Sequence, residues 1–170
     1  MLKKILAVSI LVFLIGYAIY YAINPNTAKE GVTEGSAAPN FELATLNGES
    51  MSLESLKGKK VILNFWATWC PPCRSEMPDM QSIQDEHNGD VVVVAVNLTS
   101  SESSVKTVED FVNELGLTFP VLLDEKGKVN NQFEVLSYPT SYFLDEEGVI
   151  RTKFVGAMTY DQMNDLLDDL

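Results

Sequence analysis

The stretch FWATWCPPCRSEMP, from Phe65 to Pro78, contains both cysteines of the chain, Cys70 and Cys73. A short apolar run from Val61 to Trp66 leads into it and predicts a buried strand. The residues after the second cysteine predict a helix that ends near Glu86. A C-x-x-C pair at such a junction lies where a helix begins, and the free N–H groups there stabilise a thiolate. The spacing therefore predicts a redox-active pair.

The two cysteines are predicted to have different roles. Cys70, at the start of the helix, is expected to be the exposed thiol with a lowered pKa. Cys73, one turn into the helix, is expected to be buried and to attack a mixed disulfide. Pro71 and Pro72 stiffen the loop, because proline is tolerated where helix N–H groups would be unpaired anyway.

Other chemistries for this pair need ligands that the sequence does not place beside it. Covalent haem attachment needs a histidine directly after the second cysteine, where the chain has Arg74. A zinc site needs about four ligands, and the single histidine, His87, is interpreted as a surface residue at the far end of the helix. Copper binding by the two thiols remains open, although it lacks an obvious third ligand. With copper binding kept as an alternative, we predict no metal and no cofactor besides the Cys70–Cys73 disulfide.

The composition indicates one acidic domain with an appendage. The chain has 170 residues, 46% of them apolar, and a formal net charge of -12. This charge argues against binding to a nucleic-acid backbone. The acidic residues are interpreted as a solvated surface, with selection of basic partners as the alternative. Because the chain has only two cysteines, the pair can cycle in an oxidising compartment without a wrong intramolecular partner.

The amino terminus is predicted to anchor the chain in a membrane. Lys3 and Lys4 precede an uncharged run from Ile5 to Ile23, which as a helix would span about 28 Å, close to a hydrocarbon core of ~30 Å. No A-x-A-like site follows the run, so an uncleaved anchor is favoured over a cleaved signal peptide. The lysines place the short end in the cytoplasm. The expected division is a cytoplasmic stub at 1–4, a transmembrane anchor at 5–23, a tether at 24–35 and a domain outside the membrane at 36–170.

The order of strands and helices predicts an α/β fold. Strands are expected at 41–46, 49–53, 61–66, 91–98, 119–123, 141–144 and 149–155, with helices at 74–86, 103–115, 129–133 and 159–170. Asn47-Gly48 marks an amino-terminal β-hairpin. Strands that alternate with helices predict a largely parallel central sheet, to which the last hairpin adds antiparallel strands at one side.

The segment from Phe65 to Pro78 resembles the active-site segment of thioredoxin-fold proteins, specifically the TlpA/ResA branch. The resemblance covers about Ala38 to Leu170. It includes the opening strand at Ala38–Leu43, a cis-proline loop at Ser137–Thr140 and a glycine at Gly156. It implies a thioredoxin-like fold with a mixed sheet flanked by helices, and a thiol-disulfide oxidoreductase carried on a membrane anchor.

The resemblance also implies roles for residues around the disulfide. Glu76 occupies the position of a glutamate that assists proton transfer in this branch; the alternative is a solvated acid that favours the helix dipole. Asn64 occupies the position of a buried aspartate in cytosolic thioredoxins and cannot act as an acid or base. The Tyr138–Pro139 bond is expected to be cis. The resulting site residues are Cys70, Cys73 and Glu76 for catalysis and Trp69, Pro71, Pro72, Tyr138, Pro139 and Thr140 for client binding.

Bacterial members of this branch outside the membrane commonly reduce disulfides in apocytochrome c or in spore-envelope and other exported proteins. A membrane thiol transporter of the CcdA type recharges them. The resemblance therefore implies a protein-disulfide reductase of this kind, expected to be monomeric. The alternatives are a module that binds thiol clients or copper without turnover, and an oxidase of the same fold. A peroxidase of this fold would need a P-x-x-x-T-x-x-C setting, which the chain lacks.

Overall fold

The computed structural model describes residues 9–17, 19, 29–87 and 89–170. Strands β1 (Glu42–Ala44) and β2 (Ser50–Ser52) form the amino-terminal hairpin. The elements that follow are β3 (Lys60–Trp66), α1 (Pro71–Glu86), β4 (Val91–Asn97), α2 (Val105–Leu115), β5 (Val121–Leu123), α3 (Lys128–Gln132), β6 (Thr140–Leu144), β7 (Ile150–Val155) and α4 (Tyr160–Asp168). This order is the predicted one, and most element ends agree with the sequence pattern within two residues.

The central sheet has the strand order β5-β4-β3-β6-β7. Strands β3, β4 and β5 run parallel to one another, whereas β6 is antiparallel to both β3 and β7. The predicted mixed sheet with an antiparallel hairpin at one side is therefore confirmed. Because β3 and β4 are parallel neighbours, their carboxyl ends meet at one edge, and the disulfide lies at that edge.

The strand predicted at 119–123 is shorter than expected, and proline explains the difference. The pattern predicts a strand from Phe119, but β5 begins at Val121. Pro120 has no N–H group to donate to a neighbouring strand. Its carbonyl still accepts a hydrogen bond from the Ala95 N–H at 2.9 Å, so this residue guides the chain into the sheet without belonging to β5.

The sheet is covered on both faces because side chains alternate along β3. Val61, Leu63 and Phe65 belong to one apolar cluster, and Ile62 and Trp66 belong to the other. Successive side chains of a strand point to opposite faces, so two cores follow from one strand. Asn64 is the polar exception in this buried strand, and it lies on the face covered by α1.

The helix ends have local causes that the sequence contains. Ser104 caps α2, with its Oγ accepting the Thr107 N–H at 3.2 Å. Gly116 ends that helix at φ 64°, a left-handed conformation that favours glycine. Thr159 and Gln162 form a capping box at the start of α4, as expected of a threonine cap.

The amino-terminal segment is only partly described. Residues 9–17 and 19 are helical, and their apolar side chains, such as Phe13, are exposed. Within the described residues, no helix is both long and apolar enough to cross a membrane. The predicted span at 5–23 includes residues 5–8, 18 and 20–23, which lie outside the described residues, as do residues 24–28 of the predicted tether. From residue 29 onward the chain hydrogen-bonds within the domain, as in the Gly35 N–H bond to the Ile150 carbonyl at 2.7 Å.

Phe133 is expected to be one of the most important residues for stability. It is fully buried, and its ring lies 5.2 Å from Phe65, 5.3 Å from Tyr142 and 5.8 Å from Phe41 between ring centroids. Phe133→Ala should lower the free energy of unfolding by roughly 3–5 kcal/mol, through lost apolar contacts and the cavity left behind. Urea unfolding followed by circular dichroism measures this change.

Leu136→Ala is the matched control for that substitution. Leu136 lies three positions further along the chain and is 95% exposed, so its truncation should change the free energy of unfolding by less than about 0.5 kcal/mol. Equal effects of the two substitutions would contradict the assignment of Phe133 to the core.

Candidate active site

The cysteine pair lies where β3 passes into α1. Cys70 and Cys73 are joined by a disulfide, with their Cα atoms 5.3 Å apart. A tight turn from Ala67 to Cys70 connects the two elements, and the Cys70 N–H donates to the Ala67 carbonyl at 3.2 Å. The predicted strand–turn–helix setting of the C-x-x-C pair is confirmed.

Cys70 is the residue that caps α1. Its Sγ accepts a hydrogen bond from the Cys73 N–H at 3.2 Å. Pro71 and Pro72 occupy the first two helical positions and have no N–H groups, so the Cys73 N–H is the first donor that the helix offers. A sulfur at this place receives both that hydrogen bond and the positive end of the helix dipole. The site is therefore suited to stabilise a thiolate on Cys70.

Cys73 is more deeply buried than Cys70, as predicted, but Cys70 is less exposed than predicted. Cys73 has no exposed surface, as expected, whereas Cys70 is 4% exposed rather than open to solvent. The disulfide turns the Cys70 Sγ back toward the Cys73 N–H and into the apolar cluster under α1. Only Cys70 offers any surface to an incoming sulfur in this oxidised state.

Aromatic side chains border the disulfide on its open side. Trp69 is 54% exposed, and its ring meets that of Tyr138 edge to face, with 5.9 Å between centroids. The Tyr138 hydroxyl donates to the Asn130 side-chain oxygen. Pro71 and Pro72 are also exposed. Trp69 is thus a surface residue beside the disulfide, whereas Trp66, the last residue of the predicted buried strand, is fully buried.

The cis-proline loop is present. The Tyr138–Pro139 bond is cis, as expected, and Pro139 lies directly before β6, which pairs with β3 beside the active-site turn. The Pro139 carbonyl accepts the Gly156 N–H at 2.9 Å. Thr140, expected among the client-binding residues, is buried, and its hydroxyl donates to the Ser137 carbonyl at 2.8 Å. Its side chain therefore holds the loop from inside.

Glu76 is buried, with 1% of its surface exposed, so the solvated alternative is wrong. It lies one helical turn after Cys73, on the same core-facing side of α1. One carboxylate oxygen accepts from the Asn64 Nδ2 at 2.9 Å, and the other accepts from the Met158 N–H at 3.1 Å. Burial raises the pKa of Glu76 from 4.5 to about 7, although both hydrogen bonds act in the opposite direction. This carboxyl group can hold or release a proton near neutral pH.

Asn64 connects Glu76 to the neighbouring strand. Its Nδ2 also donates to the Ser141 hydroxyl at 2.9 Å, because Asn64 and Ser141 are partners in the β3–β6 register. Its Oδ1 is buried, and among the described residues it has no hydrogen-bond partner. Ser141 was not expected at the site, and its only sequence signal is that it is a polar residue in a buried strand.

Arg74, the cation closest in sequence to the pair, has its side-chain partners on α2. Its guanidinium forms an ion pair with Glu114 on α2 and lies 5.0 Å from the centroid of the Phe111 ring. Among the described residues, no group of three or more potential ligands could hold a metal ion. His87, predicted to be a surface residue, is partly buried, and its Nε2 lies 3.0 Å from the Asn164 Oδ1.

Comparisons with known proteins agree with this geometry. The family model described as the AhpC/TSA family matches residues 35–153. The chain is 52% identical to the thioredoxin-like protein YneN of Bacillus subtilis, over 99% of each chain. It is 38% identical to the thiol-disulfide oxidoreductase ResA of the same organism, over 94% of this chain and 87% of ResA. The crystal structure of StoA from Bacillus subtilis superimposes with a TM-score of 0.67 at 42% identity, covering 76% of this chain and 97% of StoA.

The titration of Glu76 should be visible in the stability of the oxidised chain. Because its pKa rises from 4.5 to about 7 on folding, the folded state holds an extra proton between these values. The free energy of unfolding should then fall as the pH rises through this window. Glu76→Gln lacks this titration, so the stability of the unsubstituted chain relative to the variant should fall by about 3 kcal/mol between pH 4 and pH 8.

Urea unfolding of both oxidised chains across this pH range makes the measurement, since the disulfide prevents the cysteines from titrating. Glu109→Gln is the control, because Glu109 is an exposed carboxylate on α2. Because this variant removes an ion pair with Lys106, the stability of the unsubstituted chain relative to it should not fall as the pH rises. A difference for Glu76→Gln that stays constant, or that changes in the opposite direction, would contradict a buried Glu76 with a raised pKa.

Proposed function

We propose an extracytoplasmic, reducing role for this chain, which belongs to the AhpC/TSA family and is a thiol-disulfide oxidoreductase of the StoA and ResA type. Its clients are disulfide-bearing proteins, and in this proposal they are exported ones, such as apocytochrome c or proteins of the spore or cell envelope. The observation that carries the proposal is the Cys70–Cys73 disulfide at the amino terminus of α1, with the Cys70 Sγ as the cap.

In the proposed reaction the reduced pair transfers two electrons to a client. The Cys70 thiolate attacks one sulfur of a client disulfide, and a mixed disulfide forms while the other client sulfur leaves as a thiolate. Cys73 then attacks the Cys70 sulfur, which releases the second client sulfur and closes the Cys70–Cys73 disulfide. The client gains two electrons and two protons. Glu76 is suited to accept the Cys73 proton, because its pKa of about 7 leaves it partly ionised near neutral pH.

The direction of electron flow is inferred from the charges around the pair. Strong oxidants of this fold over-stabilise the thiolate. Here the residues between the cysteines are Pro71 and Pro72, neither of which can donate a hydrogen bond or carry a charge. The Arg74 guanidinium is paired with Glu114. When Glu76 is ionised, its negative charge on the Cys73 side of the helix opposes a thiolate. These features favour a reductant.

Client binding is proposed to use the open side of the disulfide. Trp69, Pro71 and Pro72 are exposed there, and Tyr138 packs against Trp69. Pro139 brings the chain before β6 to this side, where an extended client segment could pair with its backbone. The inward-facing Thr140 supports this loop.

The membrane placement rests on the sequence of the amino terminus. Lys3 and Lys4, followed by the uncharged run from Ile5 to Ile23, favour a single span with the domain outside. A reductant there cannot be recharged by soluble thioredoxin in the cytoplasm. We therefore propose a membrane-embedded thiol donor of the CcdA type as its partner, and a monomer as its working form.

The reduction potential of the Cys70–Cys73 pair should lie below about -200 mV, more reducing than protein disulfide isomerase near -180 mV. The reason is that no charged or hydrogen-bonding side chain between the cysteines adds to the stabilisation that the helix amino terminus gives the thiolate. Equilibration of the full chain with glutathione and dithiothreitol buffers measures it, with thioredoxin as the reference in the same buffers. A value close to -120 mV, that of a strong oxidant, would contradict the reducing role.

Cys73→Ser should trap clients in intact cells as mixed disulfides with Cys70, because the attack that releases them is lost. The matched variant Cys70→Ser should trap none. Identification of the trapped proteins tests location as well as chemistry. Exported clients would support the proposal, whereas cytoplasmic clients would contradict the placement. An absence of trapped complexes would favour a module that binds clients without turnover.

A further inference from the structure

The turn that connects β3 to Cys70 is hydrogen-bonded to the chain segment that follows β4. The turn runs from Ala67 to Cys70, and its two central residues are Thr68 and Trp69. Both of them bond to the segment from Thr99 to Glu102, which begins with a single 3₁₀ turn. Nothing in the sequence pattern pointed to this segment.

Glu102 forms the stronger half of this connection. Its Oε1 accepts the Thr68 backbone N–H at 2.7 Å, and its Oε2 accepts the Thr68 hydroxyl. The buried Asn97 donates its Nδ2 to the same carboxylate at 2.9 Å, and the Thr99 hydroxyl donates to the Asn97 Oδ1 at 3.0 Å. Three donors, two from Thr68 in the turn and one from Asn97 at the end of β4, therefore meet at one carboxylate. Hydrogen bonds to a charged group of this kind are stronger than neutral ones.

Ser101 forms the other half of the connection. The Trp69 indole Nε1 donates to the Ser101 Oγ at 3.0 Å, and that hydroxyl in turn donates to the Leu98 carbonyl at 2.9 Å. The Leu98 N–H donates to the Trp66 carbonyl at 3.0 Å. The segment is thus tied to the last residue of β3 as well as to both central residues of the turn.

We propose that Glu102 and Ser101 are positioning residues for thiol–disulfide exchange. They fix the Ala67–Cys70 turn and so hold the Cys70 Sγ over the Cys73 N–H. The contact that they maintain is the hydrogen bond of 3.2 Å between the Cys73 N–H and the Cys70 Sγ. A shift of the turn by about 1 Å would break it. The inference rests on the proposed role of Cys70 as the attacking thiol and applies to either direction of electron flow.

The pKa of the Cys70 thiol, measured as the midpoint of its reaction against pH, distinguishes a positioning role from an effect of charge. Removing a nearby negative charge favours a thiolate and lowers the pKa of its thiol. Displacement of the turn raises the pKa of the thiol instead, because the thiolate then loses the Cys73 N–H and the helix dipole. Glu102→Ala removes both charge and acceptor, whereas Glu102→Gln removes the charge but keeps an acceptor for the Thr68 N–H.

The experiment measures the pH dependence of Cys70 alkylation by iodoacetamide in the full chain carrying Cys73→Ser, where Cys70 is the single thiol. Glu102→Ala should raise the midpoint by about half a pH unit, which leaves roughly threefold less thiolate at pH values below the midpoint. Glu102→Gln should stay close to the parent. Glu109→Ala, which removes an exposed carboxylate from α2, should not change it. The other charged groups of the packed helices that the site description names, Glu76 and Arg74 on α1 and Glu114 on α2, are the same in every variant.

The outcomes separate the alternatives. A lower midpoint in both Glu102 variants would show a charge effect, and an unchanged midpoint in Glu102→Ala would show a structural contact without influence on Cys70; either would overturn the proposal. If Glu102→Ala does not fold, Ser101→Ala, a substitution at an exposed residue, should still raise the midpoint, and no change there would overturn it. Preferential alkylation of Cys73 in the unsubstituted reduced chain would refute the role of Cys70 itself, separately from that of Glu102.

Discussion

The chemistry of the site depends on one hydrogen bond at the beginning of α1, where the Cys70 sulfur accepts the Cys73 N–H. A helix must satisfy its first N–H groups, and two prolines at its first two positions leave Cys73 as the first donor. The reactive sulfur is thus also the cap of the helix. Redox state and local structure are coupled at this atom, because any change in the charge or bonding of the Cys70 sulfur changes how the helix end is satisfied.

The buried carboxyl group of Glu76 is the second constraint. Burying an ionised acid is unfavourable unless it is hydrogen-bonded, and here the donors come from Asn64 in β3 and from Met158 in the loop that precedes α4. The two hydrogen bonds do not fully offset the burial, so the pKa remains near 7. A group that titrates at the pH of its surroundings is unusual inside a protein, and its place one turn from Cys73 suits the movement of a proton during disulfide exchange.

The charges and rings around the pair give the site its chemical character. Arg74 could have faced the thiolate, but its ion pair with Glu114 and its contact with the Phe111 ring direct it to α2. Trp69 and Tyr138 instead present aromatic surface next to the disulfide. The site therefore combines a sulfur that caps a helix with an apolar approach, which suits exchange with an extended polypeptide.

Much of this molecule could be predicted from the sequence. The C-x-x-C pair, its prolines, the alternation of strands and helices and the caps Gly116 and Thr159 are local patterns, and local patterns determine local structure. The contacts between residues that are distant along the chain were decided by the tertiary structure alone. Glu76 became a buried acid because Asn64 and Met158 surround it, Ser141 joined the site through strand register, and Glu102 reached Thr68 because β3 and β4 end side by side. Burial and hydrogen bonding between distant residues are set by packing, which no short stretch of sequence contains.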